Sequence, residues 1–148
     1  MKEDVFLSLG SNQGDRKYNL DRATELLSES LGTLPTAISD YIETESWGFE
    51  APAFLNSVVA FSLDDPDGFS ILATCKEIER TMGREENIEY DEAGRRIYHS
   101  RPIDIDIIEI GDRTIESETL TVPHPLACER DFVMIPLAQV KQKMENFK

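Results

Sequence analysis

The apolar positions of this chain change period along its length, and each change predicts an element. Val5-Phe6-Leu7-Ser8-Leu9 is a nearly continuous apolar run, the mark of a strand buried on both faces. Gly10-Ser11-Asn12-Gln13-Gly14-Asp15 supplies turn residues that also cap a helix. Leu20, Ala23, Leu27 and Leu31 then recur at three- and four-residue spacing, and Gly32 stands where that helix should stop. Over residues 36–44 and again over 54–63, β-branched and aromatic residues predict strands that pair antiparallel across a loop rich in Glu, Gly and Pro. Asp65-Pro66-Asp67 opens a second helix whose stripe Ile71, Cys75, Ile78 and Met82 ends at Gly83. After a polar stretch, Ile103, Ile105 and Ile107 alternate with Asp104 and Asp106. That period of two sends the isoleucines into a core and both carboxylates to the opposite face of a strand.

The element order is βαββαβ, which predicts the α+β class. The expected architecture is a ferredoxin-like antiparallel sheet, with helices packed on one face and a C-terminal extension. In that extension, residues 120–124 read as a short extended piece and 125–130 as a helical turn. An apolar segment over 132–140 follows, and the polar tail beyond Val140 is expected to fray.

A chain of 148 residues has the size of one domain, so 1–148 is expected to fold as a unit without disulfides or a structural metal. The net charge of −14 argues against a nucleic-acid partner, which needs a basic face. It leaves room for a nucleotide, because screening confines distant charges to roughly 8 Å and a local arginine cluster can act alone. Cys75 and Cys128 fit neither a redox pair nor a zinc-ligand spacing; a disulfide between them stays open, with reduced thiols in the cytoplasm the expected state. The apolar run over 5–9 is far too short for a signal peptide or a membrane span, so a cytoplasmic protein with no membrane partner is expected, and a monomer.

Asp104 and Asp106 would stand roughly 7 Å apart on one face of their strand, and they repel each other. One reading is a divalent site: all-oxygen ligands at this reach suit Mg²⁺ that keeps its waters and also holds a substrate phosphate. The other is a half-exposed strand with a polar face. His99 and His124 are the only histidines, too few for a zinc cluster of the catalytic type, and there is no Walker A sequence to cradle phosphates.

Several short motifs occur in one order: Leu9-Gly10-Ser11-Asn12, Phe54-Leu55-Asn56, Gly83-Arg84, Arg101-Pro102-Ile103-Asp104-Ile105-Asp106, and Thr121-Val122-Pro123-His124 followed by Arg130 and Phe132. Together they resemble the 6-hydroxymethyl-7,8-dihydropterin pyrophosphokinase family of folate biosynthesis, over residues 5–137. The resemblance implies a Mg-dependent transferase that moves the β,γ-diphosphate of ATP to the 6-hydroxymethyl oxygen of the pterin and leaves AMP, with two Mg²⁺ ions.

It further implies that Asp104 and Asp106 hold the metals and that Arg84 and Arg101 neutralise phosphate charge during transfer. Lys76, Glu79, Arg84, Arg101, Ile107, Leu120, Thr121, His124 and Arg130 match ATP-contacting positions. Thr44, Glu45, Trp47, Phe54, Asn56 and Phe132 match the pterin wall, with Phe54 and Phe132 stacking on the ring and Asn56 reading its edge. Guanidinium suits the phosphate role because its planar fork meets oxygens in pairs and keeps its charge. Residues 85–100 have no period and are expected to form a lid, with Arg95, Arg96 and Tyr98 best able to reach ligand. Two other classes remain open: a non-enzymatic binding module of the same fold, and a different metal-dependent phosphotransferase or phosphohydrolase using the same carboxylates.

Overall fold

The computed structural model describes residues 1–44, 53–83, 89–90, 92–94, 96–97 and 102–146. The elements in chain order are β1 (Lys2–Ser11), α1 (Arg16–Leu31), β2 (Ala37–Ile38), β3 (Ile42–Thr44), β4 (Phe54–Asp64), α2 (Gly68–Thr81), β5 (Glu89–Tyr90), β6 (Arg96–Ile97), β7 (Asp104–Ile110), β8 (Ile115–Glu116), β9 (Thr121–Val122), a 3-10 turn (Ala127–Glu129) and α3 (Asp131–Glu145). This is an α+β chain with a five-stranded sheet. Along one path its strands run β2-β4-β1-β7, with β3 also paired to β4, and each pairing is antiparallel.

The helix boundaries follow the local chemistry. Asp15 caps α1 by accepting from the Tyr18 N–H at 3.0 Å, and Gly32 ends it in the left-handed region at φ 74°, where a side chain would be strained. Asp67 caps α2 by accepting from the Phe69 and Ser70 N–H groups. The next residue, Gly68, allows the start of α2 to close on the β8–β9 hairpin, since a Cβ there would lie 3.0 Å from side-chain atoms of Ile115 and Leu120.

Because side chains alternate along a strand, the sheet has two distinct faces. Val5, Leu7 and Leu9 of β1, Val59 and Phe61 of β4, and Ile105 and Ile107 of β7 share one core with Leu20, Ala23 and Leu27 of α1 and Ile71, Cys75 and Ile78 of α2. Phe6, Val58, Ala60 and Ile108 form a second core on the other face with Val133, Leu137 and Val140 of α3. The two helices of the βαββαβ unit thus share one face, as expected, while α3 of the C-terminal extension covers the other. The second face is itself apolar over part of its length, and α3 supplies the apolar stripe that covers it. The helix also runs to Glu145 rather than fraying beyond Val140.

Two irregularities went beyond the sequence reading. Ser39 and Asp40 divide the strand expected over 36–44. The Ser39 N–H still donates to the Val58 carbonyl at 2.9 Å, but the Val58 N–H returns to the Ser39 hydroxyl at 2.9 Å, and the Asp40 N–H turns to the side chain of Gln139 at 2.7 Å. In β7, Leu7 pairs with Ile107 but Phe6 pairs with Glu109, so Ile108 is an extra residue in the ladder. The bulge puts Ile108 in the second core while Ile110 keeps its place in the first. Glu109 is left to meet Lys141 of α3 at 3.0 Å.

Phe61 is fully buried between β4 and the helices. Phe61→Ala should lower the unfolding free energy by about 3–5 kcal/mol, read from urea or guanidinium midpoints. A loss below about 1 kcal/mol would show that this core does not carry the fold.

Candidate active site at the polar end of the second sheet face

On the second face α3 and its apolar partners occupy one end of the sheet, and toward the other end the residues turn polar or small. Register aligns them. Asp104 of β7 lies opposite Gly10 of β1, Gly10 opposite Asn56 of β4, and Asn56 opposite Ile42 of β3. Two residues along, Asp106 pairs with Ser8; at the other side Phe54 pairs with Thr44. Directly opposed residues of an antiparallel pair face the same way, so Asp104, Asp106, Ser8, Gly10, Asn56 and Phe54 share one surface. Two strand spacings separate the backbones at Asp104 and Asn56, about 10 Å.

Gly10 is needed for close approach. A Cβ there would lie 3.0 Å from Asn56 Oδ1 and 3.5 Å from the ring of Phe54, so any side chain would crowd both. Asn56 is 4% exposed, and its Nδ2 donates to the Ile42 carbonyl and to Thr44 Oγ1, each at 3.2 Å. Both amide hydrogens are thus committed within the protein, and Oδ1 is the atom turned toward Gly10. Sequence alone gave Asn56 a donor and an acceptor for the ring edge; this geometry offers the acceptor.

The aspartate strand is held from its free side. β7 ends the described sheet, and the N–H of Ile105, between the two aspartates, donates to Glu79 Oε2 at 3.0 Å. Glu79 is 2% exposed, a carboxylate at the end of the apolar stripe of α2. It acts on the strand that carries Asp104 and Asp106, a link between α2 and β7 that helical spacing could not reveal. One turn earlier on α2, the Cys75 thiol is pushed up to about 12 by burial first and then by the charges of Glu79 and Asp106. Such a thiol keeps its proton at neutral pH and is no nucleophile.

The other matched positions cluster along the same edge. Lys76 is exposed on α2, while Ile107 and Leu120 are buried in the core under α1 and α2, so the side chain of Ile107 faces away from the aspartates. Thr121 is exposed on β9, which packs against β7. His124, after a cis Val122–Pro123 bond, is tied to β7 by its N–H to the Ile108 carbonyl at 2.9 Å. Its Nδ1 accepts from the Leu126 N–H at 3.2 Å, so a neutral ring carries its proton on Nε2 and presents a donor. Arg130 precedes α3 with its guanidinium 5.8 Å from the ring centre of Phe132, which is half-buried beside the second core.

The sequence as a whole matches a known family. Residues 6–142 fit the model of the 7,8-dihydro-6-hydroxymethylpterin-pyrophosphokinase (HPPK) family. The chain belongs to this family. It is 44% identical over 140 residues to the 2-amino-4-hydroxy-6-hydroxymethyldihydropteridine pyrophosphokinase of Porphyromonas gingivalis, covering 92% of this chain and 89% of that protein. The Bacillus subtilis protein of the same name is 34% identical over 147 residues, 99% of this chain and 83% of its own. A mitochondrial folate synthesis bifunctional protein of Pisum sativum is 39% identical over 136 residues, which is 24% of its length.

Four of the HPPK positions matched in the sequence, Glu45, Trp47, Arg84 and Arg101, lie outside the described residues. So do most of the expected lid, including Arg95 and Tyr98, and the side chain of Arg96. Within 85–100 the described backbone contains the pairing of Glu89–Tyr90 with Arg96–Ile97, strands too short to leave a period in the sequence.

Two measurements check this framework. Glu79→Ala should lower the unfolding free energy by about 1.5–3 kcal/mol, with Glu79→Gln, which keeps an acceptor for Ile105, losing less; equal stability of Glu79→Ala and wild type would contradict the strand-holding role. For Cys75, the pKa is raised from 9.0 to about 12 in the fold, so the folded state binds the thiol proton more tightly. The resulting stabilisation is complete below pH 9.0 and fades as pH rises toward about 12. Mass mapping after iodoacetamide at about pH 8 should find Cys75 unmodified in the native protein and alkylated in urea; rapid native labelling would contradict its burial.

Proposed function

We propose that the polar end of the second sheet face is where this HPPK-family chain moves diphosphate from ATP to hydroxymethyldihydropterin. The family assignment gives the reaction, a step of folate biosynthesis; the residues that perform it are the proposal. The observation that carries it is the register row of Asp104, Gly10 and Asn56, which supports a phosphate end and a ring end about 10 Å apart on one surface.

At the ring end, the acceptor Asn56 Oδ1 suits the N–H edge of a pterin, and the missing side chain of Gly10 leaves a flat floor for it. Phe54 and Phe132 would supply aromatic faces, with Thr44, Glu45 and Trp47 completing the wall. At the phosphate end, Asp104 and Asp106 would hold Mg²⁺. Among the described residues no group of three or more His, Cys, Asp or Glu could hold a metal. A pair of carboxylates nonetheless fits Mg²⁺, which keeps waters and takes its remaining oxygens from a triphosphate. When bound, the metal supplies charge neutralisation and a template for in-line transfer.

The chain's own groups would do the rest. The hydroxymethyl oxygen attacks the β-phosphorus and releases its proton to solvent, the bond from that phosphorus to the α-bridging oxygen breaks, and AMP leaves with that oxygen. Such a transfer asks for positioning and charge stabilisation rather than a covalent nucleophile. Arg84 and Arg101 would meet the developing phosphate charge, as the family motif implies. The Nε2–H of His124, together with Arg130, Lys76 and Thr121, would bind nucleotide along the β7 edge, where Glu79, Ile107 and Leu120 shape the strand and its core. We take the chain as a single-domain, monomeric cytoplasmic enzyme of ferredoxin-like topology. Its strand order supports that topology, and no described helix is long and apolar enough to cross a membrane.

Incubation with ATP, Mg²⁺ and 6-hydroxymethyl-7,8-dihydropterin, with nucleotides resolved by chromatography, should yield AMP in step with pterin consumed. ADP would point to another phosphotransferase, and unchanged ATP to a binding module. Asp104→Ala and Asp106→Ala should each lower turnover at least on the order of 10²-fold with unfolding midpoints retained. Wild-type rates in either variant would remove the aspartates from the site.

A further inference from the structure

Arg16 is the first residue of α1, directly after the capping Asp15, and its guanidinium reaches two strands at once. Nη1 donates to the carbonyl of Ala53 at 2.8 Å, and Nη2 donates to Glu43 Oε2 at 3.2 Å. Glu43 lies in β3 and Ala53 immediately before β4. The β3–β4 ladder pairs Ile42 with Asn56, Glu43 with Leu55, and Thr44 with Phe54. Thr44 and Phe54 therefore form the last rung of this ladder among the described residues, and Arg16 binds a neighbour of each.

We infer that Arg16 is a positioning residue for the pterin: by bridging Ala53 and Glu43 it fixes the Thr44–Phe54 rung against which the ring binds. This rests on the pterin wall proposed above. Among the described residues this rung has a ladder neighbour on one side only, and the end of a ladder opens at lower cost than its middle. Two further ties among the described residues are weak alone: Thr44 Oγ1 accepts from the Asn56 amide at 3.2 Å, and the Glu43 carboxylate is 59% exposed, where an ion pair adds little. The Ala53 carbonyl is the anchor, a partly buried acceptor met by a charged donor. Arg16 is itself well fixed. The Asn19 amide donates to Ser11 Oγ at 3.2 Å and to the Gln13 carbonyl at 2.8 Å, locking the turn that joins β1 to α1. The path from Arg16 through the rung ends on Asn56, whose Oδ1 faces Gly10, so loosening the rung frees the amide that reads the ring. Lysine in place of Arg16 could reach one acceptor but could not span both with a fixed fork.

The test measures binding of 6-hydroxymethylpterin by fluorescence in the presence of Mg²⁺ and a saturating unreactive ATP analogue, and affinity for that analogue separately. Arg16→Ala should weaken pterin binding about tenfold, Arg16→Lys by less, and analogue affinity should stay within about twofold. Asn56→Ala serves as the reference. If it weakens the pterin and Arg16→Ala does not, the inference on Arg16 fails while the site stands. If Asn56→Ala leaves pterin binding unchanged, the ring does not bind on this wall, and the proposed site falls with the inference. Parallel loss of pterin and analogue affinity in Arg16→Ala would mark a general structural role and overturn the positioning claim. Should Arg16→Ala fail to fold, Arg16→Lys and Arg16→Gln carry the same comparison.

Discussion

The register of β1 between β4 and β7 governs both the core and the site. Its odd residues Val5, Leu7 and Leu9 point into the core beneath α1 and α2, while Phe6, Ser8 and Gly10 point to the other face. That second row changes character along the strand. A phenylalanine lies beneath α3, a serine opposite Asp106, and a glycine between Asp104 and Asn56. A slip of one residue would turn leucines toward the aspartates and put Gly10 into the core, exchanging both faces at once. Stability and the candidate chemistry therefore depend on the same alignment, enforced by the leucines on one side and by α3 on the other.

The electrostatics of the β7 edge show why this alignment is demanding. Asp104 and Asp106 leave the strand on one face, and Glu79 approaches the Ile105 N–H between them from α2. The strand that carries both aspartates is thus held by a third carboxylate, in a chain of net charge −14. The Cys75 thiol registers the resulting field, since Glu79 and Asp106 add to burial in raising its pKa. Two carboxylates on one face of a strand suit a divalent cation that also holds phosphates, which is the role proposed for the aspartates.

Much of this was legible in the chain because it is local. The alternation of Ile103, Ile105 and Ile107 with Asp104 and Asp106 fixes which side chains share a face, and the isoleucines do lie in the core beneath α1 and α2. Caps at Asp15 and Asp67 and the stop at Gly32 follow from side-chain chemistry within a few residues. What escaped the sequence depends on contacts between distant segments. The stripe Val133, Leu137, Val140 signals an apolar helix face but not which side of the sheet it covers. The family resemblance marked Glu79 as an ATP-contacting position, but its bond to the Ile105 N–H emerges only when β7 lies against α2. The direction of the Asn56 amide is set by Ile42 and Thr44, fourteen and twelve residues away. The bulge at Ile108 arises only when β7 is paired with β1. Arg16 gave no signal at all, because its meaning lies in Glu43 and Ala53.

The account stands or falls on where substrates lie relative to Gly10. A crystal structure of the protein with Mg²⁺, an unreactive ATP analogue and 6-hydroxymethylpterin measures that directly. The predicted result is a ring lying over Gly10 within hydrogen-bond reach of Asn56 Oδ1, its hydroxymethyl group toward metal held by Asp104 and Asp106. A ring seated away from this face, or magnesium bound without either aspartate, would contradict it.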